Sequence, residues 1–298
     1  MKILYFDTSS KICNYYSDIV NYLKKYSNLK FINSNIDREI IQFKPDIIIL
    51  GFTITNDKNV KEFNIITKIP LYIILNKEYE RLNEKLNWIK KIKPKKVFTV
   101  HHSFKKYEEI CQIPFSKIMW SADHNVFKKY NEDYKHDLFF SGVIRKEQTD
   151  DLRNKINNKL DLIKNYNILI KVAVYKNNKL IGKLNTFNLP DYAYNIQNSK
   201  IALTTTGPGD LVGTRYFEIM ASNKALILCN RMPVEVYEDI LIDKFNCVMF
   251  DNDNDFIEKF KYYIEHEEER IKIVNQAYEY FLEKHTWEHK VKHLLDNL

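Results

Sequence analysis

Thr204-Thr-Thr-Gly-Pro-Gly-Asp-Leu-Val-Gly-Thr-Arg-Tyr-Phe-Glu218 gathers three of the chain's six glycines, Gly207, Gly209 and Gly213, into seven residues. An apolar run at 201–205 leads into it as a strand, and helical spacing follows it. Glycine permits positive φ and lets a ligand approach the backbone, while a helix start exposes N–H groups with a partial positive charge. Strand, glycine loop and helix in that order read as an anion site suited to phosphate.

The helix is expected from Arg215, with Thr214 as N-cap and Asn223 ending it in the left-handed conformation. The N–H groups of Arg215, Tyr216 and Phe217 are expected to point outward. Helical spacing puts Phe217, Met220 and Ala221 on a face that packs on a sheet, and Arg215, Glu218 and Ser222 on another side left free for chemistry. Two plainer readings stay open on these residues alone. Arg215 and Glu218, three apart, suit a surface ion pair, and Gly207-Pro-Gly209 suits a simple turn.

Outward from this loop, short apolar runs alternate with amphipathic segments, the pattern of strands joined by helical crossovers. Strands are expected at 137–142, ending in Gly142, and at 168–174, 225–229 and 247–250, with a helix at 149–163. Residues 256–298 read as helical almost throughout, and Glu265-His-Glu-Glu-Glu-Arg270 within them as a solvated face. The first half reads as strands at 2–6, 29–32, 46–50, 70–75 and 96–100, with helices at 12–26, 36–43 and 78–91. Residues 113–134 read as a last strand and a linker. No GxGxxG follows the first strand, which argues against a dinucleotide site. The expected fold is α/β, with two Rossmann-like domains facing a cleft at 1–135 and 136–282, and a terminal helix at 283–298 crossing back to the first domain.

Composition sets the broad class. With 298 residues, 45% hydrophobic and 29% charged, the chain suits a folded protein, of two domains as readily as one by length alone. Its 20 Tyr and 18 Phe serve cores and sugar-stacking surfaces alike. The net charge of +7 is spread along the chain and suits anionic small molecules, an anionic membrane surface touched peripherally, or nucleic acid. No interleaved basic motif or recognition helix supports nucleic acid. Cys13, Cys111, Cys229 and Cys247 lie far apart in no metal-ligand pattern and are expected as reduced thiols. Met1 to Asp7 enters an apolar strand without the longer apolar region and cleavage site of a signal peptide, and no apolar run is long enough to span a bilayer. A cytoplasmic location is expected.

On these motifs the chain resembles the GT-B glycosyltransferases, most closely the CgeB-like group and the related group-1-type enzymes. The resemblance is carried by the small-residue loop with Arg215-x-Phe-Glu218, by Asp137-Leu-Phe-Phe-Ser-Gly142 followed by a helix, by Ala225-Leu-Ile-Leu, and by His285-Thr-Trp287. It spans roughly residues 137–298. Lys77-Glu-Tyr79 and Ala122-Asp-His-Asn-Val-Phe127 look like the pieces that precede the interdomain linker in such enzymes.

What the resemblance implies is a nucleotide-diphosphate sugar held mainly by the second domain, with a glycan or other hydroxyl acceptor approaching from the first. Many group-1-type enzymes carry two glutamates separated by seven residues, and Asp210 and Glu218 stand at that spacing. Glu218 is then the ribose ligand. Asp210, one methylene shorter than the usual glutamate, lies near the donor sugar. Val212, Gly213 and Thr214 offer backbone N–H groups to the diphosphate, Gly209 belongs to the same donor-binding loop, and Arg215 adds a charge-assisted bond. Gly142 lets the diphosphate approach the backbone, while Arg145, Lys146 and Lys171 are candidates to neutralise it as leaving-group charge grows. His101 and His102, at the carboxyl end of a strand, are candidates to orient the donor sugar or relay a proton. Asp7 with Thr8, Ser9 and Ser10 borders the acceptor side, and Asp123 caps or fixes the linker.

No Asp-x-Asp motif of the metal-dependent transferases is read in the chain, so neither a metal nor another cofactor is required. The expected reaction is transfer of a sugar from a nucleotide-diphosphate donor to a hydroxyl, leaning toward retention. Two alternatives remain: a nucleotide-sugar 2-epimerase of the same fold, which consumes donor without acceptor, and a non-catalytic binding protein, which leaves bound donor intact.

Overall fold

A computed structural model describes residues 1–7, 14–51, 67–130, 133–147, 151–177, 179–181 and 188–298, with backbone alone at 14–17. Thr8, Ser9, Ser10, Cys13 and Thr149 lie outside the described residues. The chain divides into two units: Met1–Trp120 with Pro208–Leu211 and Trp287–Leu298, and Ser121–Gly207 with Val212–Thr286. No helix of the described residues is long and apolar enough to cross a membrane.

In the first unit, β1 (Lys2–Phe6), α1 (Asn14–Tyr26), β2 (Asn28–Ile32), α2 (Ile36–Phe43), β3 (Ile47–Leu50) and β4 (Leu71–Leu75) are followed by α3 (Leu82–Ile92), β5 (Lys96–Thr99), α4 (Phe104–Cys111) and β6 (Phe115–Lys117). The six strands form one parallel sheet in the order β2-β1-β3-β4-β5-β6. β3 and β4 are buried at every position, which is why their sequences run apolar without alternation. Leu4, Ile48, Ile73 and Val97 form the core on one sheet face with Trp88 and Ile89 of α3 and Tyr107 of α4. The terminal helix Trp287–Asp296 lies against α1, where Glu288 Oε1 pairs with Lys25 Nζ at 2.5 Å.

Two first-half expectations change. α3 begins at Leu82, not at residue 78, because Lys77 and Arg81 both take positive φ and residues 77–81 form a turn. α4, which the sequence reading passes over, is a two-turn helix that buries Tyr107 and Cys111 at helical spacing.

In the second unit, β7 (His136–Arg145), α5 (Leu152–Lys159), β8 (Ile168–Lys176), β9 (Lys179–Ile181), α6 (Leu189–Gln197) and β10 (Ser199–Thr204) precede α7 (Arg215–Ser222) and β11 (Leu226–Asn230). Then come α8 (Val234–Tyr237), β12 (Val248–Phe250), α9 (Asp253–Glu265) and α10 (Glu267–Lys284), which makes the terminal helix α11. The strand order is β12-β11-β10-β7-β8-β9. It is parallel except at β9, which returns antiparallel beside β8. Taken within this unit, the order is that of a dinucleotide-type doubly wound sheet, reversing between β7 and β10.

β7 pairs with β10 only as far as Phe140 opposite Leu203, yet continues against β8 to Arg145 opposite Tyr175. The sheet therefore parts at the reversal point, at the carboxyl end of β10, where open α/β sheets receive ligands. Gly142 does not end its strand; it pairs with Val172 inside it. In the acidic run, Arg270 departs from the expected solvated face. It is buried, with its guanidinium donating to Tyr263 O at 2.9 Å and pairing with Glu267 at 3.1 Å.

Candidate active site

The second unit collects most of the expected donor residues around the parting of β7 and β10. A Cβ placed on Gly142 would stand 3.6 Å from an Arg215 terminal nitrogen and 3.8 Å from one of Arg153, so two guanidinium groups face this point of the strand. Arg153, on α5, ties the diverging strands. Its Nε donates to Thr205 Oγ1 at 2.5 Å, and its terminal nitrogens donate to Val143 O at 3.2 Å, Thr205 O at 3.2 Å and Thr206 O at 3.0 Å. Burial first, and then the like charge of Arg215, bring Arg153 down to about 10. Converging cationic groups with perturbed ionisation are a usual signature of an anion site.

Arg145 and Lys171 stand on neighbouring strands beside it. Arg145, opposite Tyr175, accepts from Asn154 Nδ2 through its carbonyl, and its charge reaches Arg153. Lys171 is half-buried opposite Ser141. Val212 is buried, and a Cβ on Gly213 would meet nothing within 4 Å, so the backbone there has open space before it.

Thr214 takes the N-cap position, but with helical φ and ψ and no capping bond from its side chain. The Phe217 N–H bonds back to Thr214 O at 2.9 Å, so it does not point outward as expected. Asn223 ends the helix in the left-handed conformation as expected. The expectation of a free chemical side on α7 is also corrected. Tyr216 through Ser222 are all buried, because α6 and α10 cover the sides that β10 and β11 do not. Ser222 turns its hydroxyl to Ile219 O at 2.6 Å.

Glu218 is accordingly enclosed. Its Oε2 accepts from the Tyr192 hydroxyl of α6 at 2.9 Å, and the Thr214 hydroxyl is its other side-chain partner. Burial pushes this carboxyl above its ordinary range, opposed by those two hydroxyls and by the Arg215 charge. Arg215 also reaches the Tyr192 hydroxyl, so Arg215, Tyr192, Thr214 and Glu218 form one polar cluster in which Arg215 and Glu218 are not a surface pair.

The first unit holds the remaining expected residues. His101 follows β5 and is 8% exposed. The Ser103 N–H donates to its Nδ1 at 3.1 Å, which leaves the proton on Nε2, and Nε2 donates to Gly209 O at 2.8 Å. The Tyr107 hydroxyl lies 3.1 Å from Nδ1, and His102 stacks on the ring at 4.2 Å. Burial holds His101 below its ordinary range. Gly209 uses positive φ, 66°, and its neighbour Asp210 is exposed with φ 59°.

Beneath this group lie two buried charged residues that the sequence reading did not single out as site candidates. Glu78 is hydrogen-bonded to the Thr99 hydroxyl and raised by burial. Lys85 donates to Asn76 O and Lys77 O, each at 2.8 Å, and burial brings it down to about 8.

Arg153 and Tyr192 are the second-unit residues missed. Arg153 stands in a polar helix, and its partners Thr205 and Thr206 lie more than fifty residues away, with no local spacing to connect them. The reading that the chain has no Asp-x-Asp pattern is corrected as well. Asp251-Asn-Asp253-Asn-Asp255 has that spacing. Here it builds the start of α9: Asn252 caps the helix, and the three carboxylates pair with Arg231, Lys159 and Lys259 at 2.8, 2.8 and 2.7 Å.

Residues 154–296 match the family model described as glycosyl transferase-like. No curated protein matches the chain in sequence. Among solved structures, HepE from Anabaena in complex with UDP-glucose superposes with a TM-score of 0.65 at 12% identity, covering 100% of both chains. A glycosyltransferase from Rickettsia africae ESF-5 gives 0.66 at 12% identity, over 99% of this chain and 97% of that one. Sucrose-phosphate synthase from Thermosynechococcus elongatus gives 0.64 at 8% identity, over 99% and 98%. These likenesses establish the fold. Residues 154–296 match a glycosyl transferase-like domain, and the whole chain has the two-sheet fold of the GT-B glycosyltransferases.

Proposed function

We propose that this chain is a glycosyltransferase that takes a nucleotide-diphosphate sugar as donor and passes the sugar to a hydroxyl of a glycan or other acceptor, without a divalent metal and with retention at the anomeric carbon. The observation that carries the donor assignment is the pair of guanidinium groups, Arg153 and Arg215, facing Gly142 where β7 leaves β10. Two like charges held together on a partly buried surface favour a multiply charged anion over a neutral ligand.

In this reading Arg153 and Arg215 take the diphosphate with the backbone of Val212, Gly213 and Thr214. They stabilise the charge that grows on it as the glycosidic bond breaks. Arg145 and Lys171 add to the positive field. Glu218 accepts from the ribose hydroxyls. The lean toward retention rests on the spacing of Asp210 and Glu218. Asp210 with Gly209 is assigned to the donor sugar, and His101 or His102 to the sugar or the acceptor proton. A cytoplasmic location, with peripheral contact to an anionic membrane surface, suits the net charge of +7.

Titration calorimetry with uridine, cytidine and guanosine diphosphates tests the donor reading. UDP comes first, because HepE is seen with UDP-glucose. Binding of one diphosphate, weakened at least ten-fold by Glu218→Ala, is expected. Absence of binding to all three, or binding indifferent to Glu218→Ala, refutes it.

A further inference from the structure

Glu218 is 5% exposed, and an ionised carboxylate is stable at such a place only when hydrogen bonds and charge replace water. One of those bonds comes from outside its own helix. Tyr192 Oη on α6 donates to Oε2 at 2.9 Å. The Tyr192 ring is itself held by two aromatic neighbours, tilted against Phe139 of β7 at 5.9 Å and edge-on to Phe127 at 6.0 Å. The phenol therefore has one position, and its single proton is directed to one carboxylate oxygen.

We propose that Tyr192 is a positioning residue for donor recognition: by donating to Glu218 Oε2 it fixes the orientation and ionised state in which the carboxylate accepts the ribose hydroxyls. This rests on the ribose reading of Glu218. With Oε2 engaged from the α6 side, the lone pairs left on the two oxygens are those a diol can use. Tyr192 thus decides how the carboxylate is presented without touching the nucleotide.

The balance of groups around Glu218 makes the idea measurable. Burial works against the ionised form, while Tyr192 from α6 and Thr214 and Arg215 from the head of α7 work for it. The other elements packed on α7, namely β10, β11 and α10, present no further charged group acting on it among the described residues. Deleting the phenol oxygen removes one hydrogen bond that supports the ionised form, so the carboxyl takes up a proton at higher pH. Ribose binding through the carboxylate is then lost at higher pH too.

The test uses the full chain and the tightest of UDP, CDP and GDP, each compared with its 2′,3′-dideoxy form by calorimetry between pH 5.5 and 8.5. The wild type is expected to prefer the ribose form at least ten-fold. Tyr192→Phe is expected to lose most of that margin and to raise the pH at which ribose-form binding is half lost, with dideoxy binding unchanged. A fluorinated tyrosine at 192, a stronger donor on nearly the same ring, is expected to lower that pH, and it keeps the question answerable if Tyr192→Phe does not fold. A wild type that binds both forms alike overturns the ribose reading and the proposal with it. A wild-type margin that survives in Tyr192→Phe with an unchanged pH profile overturns the role of Tyr192 alone. Equal losses on both nucleotides make Tyr192 a packing residue and overturn it likewise.

Discussion

Replacing Arg153 with methionine separates what this side chain does for the fold from what it does for a ligand. Its guanidinium makes four hydrogen bonds, all to neutral acceptors: the Thr205 hydroxyl and the carbonyls of Val143, Thr205 and Thr206. Burial and the neighbouring Arg215 bring it down from its ordinary value to about 10. That drop corresponds to about 3 kcal/mol against the charged form, felt in full at neutral pH because both values lie above it. Hydrogen bonds from a charged donor return about 1.5–3 kcal/mol each, so the four together outweigh that cost. Arg153→Met should then destabilise the unliganded protein by about 3 kcal/mol or more, a fall of several degrees in Tm.

A bound diphosphate changes the balance, because the repulsion between the two arginines becomes attraction to a shared anion. Loss of one charge-assisted contact, about 2–3 kcal/mol, weakens UDP binding about 30- to 150-fold. Uridine, which lacks the phosphates, should bind the variant and the wild type alike. Thermal melts with and without UDP, together with calorimetry on UDP and uridine, give all four quantities. Unchanged UDP affinity in Arg153→Met, or an equal loss for uridine, would refute the reasoning.

The loop glycines make a contrasting pair. Gly209→Ala forces a side chain to φ 66° with its Cβ 3.1 Å from Tyr79 Cβ, and should cost about 1–2 kcal/mol in urea unfolding. Gly213→Ala meets nothing within 4 Å and should stay within about 0.5 kcal/mol of the wild type while weakening UDP binding, since its methyl occupies the ligand's approach. Indistinguishable unfolding curves for the two variants would contradict this. His101 is held below its ordinary 6.5, so on acidification the unfolded chain takes up that proton before the folded one does, and stability falls as pH falls through and below 6.5. His101→Gln should flatten that part of the curve in thermal melts from pH 8 to 5, and parallel curves would count against it.

Strands β3 and β4 were legible because parallel strands buried on both faces must be apolar throughout. The loop before α7 was legible because glycine, threonine and arginine cluster there for reasons local to the chain. The rest depends on what packs against what. Helical spacing separated Phe217 from Glu218, but only the presence of α6 and α10 shows that both sides of α7 are covered. β7 outruns β10 because β8 continues beside it, so Gly142 marks no strand end. Asp251, Asp253 and Asp255 alternate with asparagine at a helix cap, and their separate pairing with Arg231, Lys159 and Lys259 is set by tertiary packing that the local pattern does not carry. Arg153 and Tyr192 become visible only when α5 and α6 are folded onto the sheet, since each acts on a partner at least 26 residues away.

The Arg153 tie across the parting strands bears on the kinetics of association. Thr205, Thr206 and Val143 are already joined through one side chain, so the width of the crevice is settled when the domain folds. On the proposed donor reading, a nucleotide arriving there would meet a preorganised mouth, with the ordering cost that usually slows or weakens capture met beforehand. Differences in affinity among donors should therefore reside in how fast they leave more than in how fast they enter.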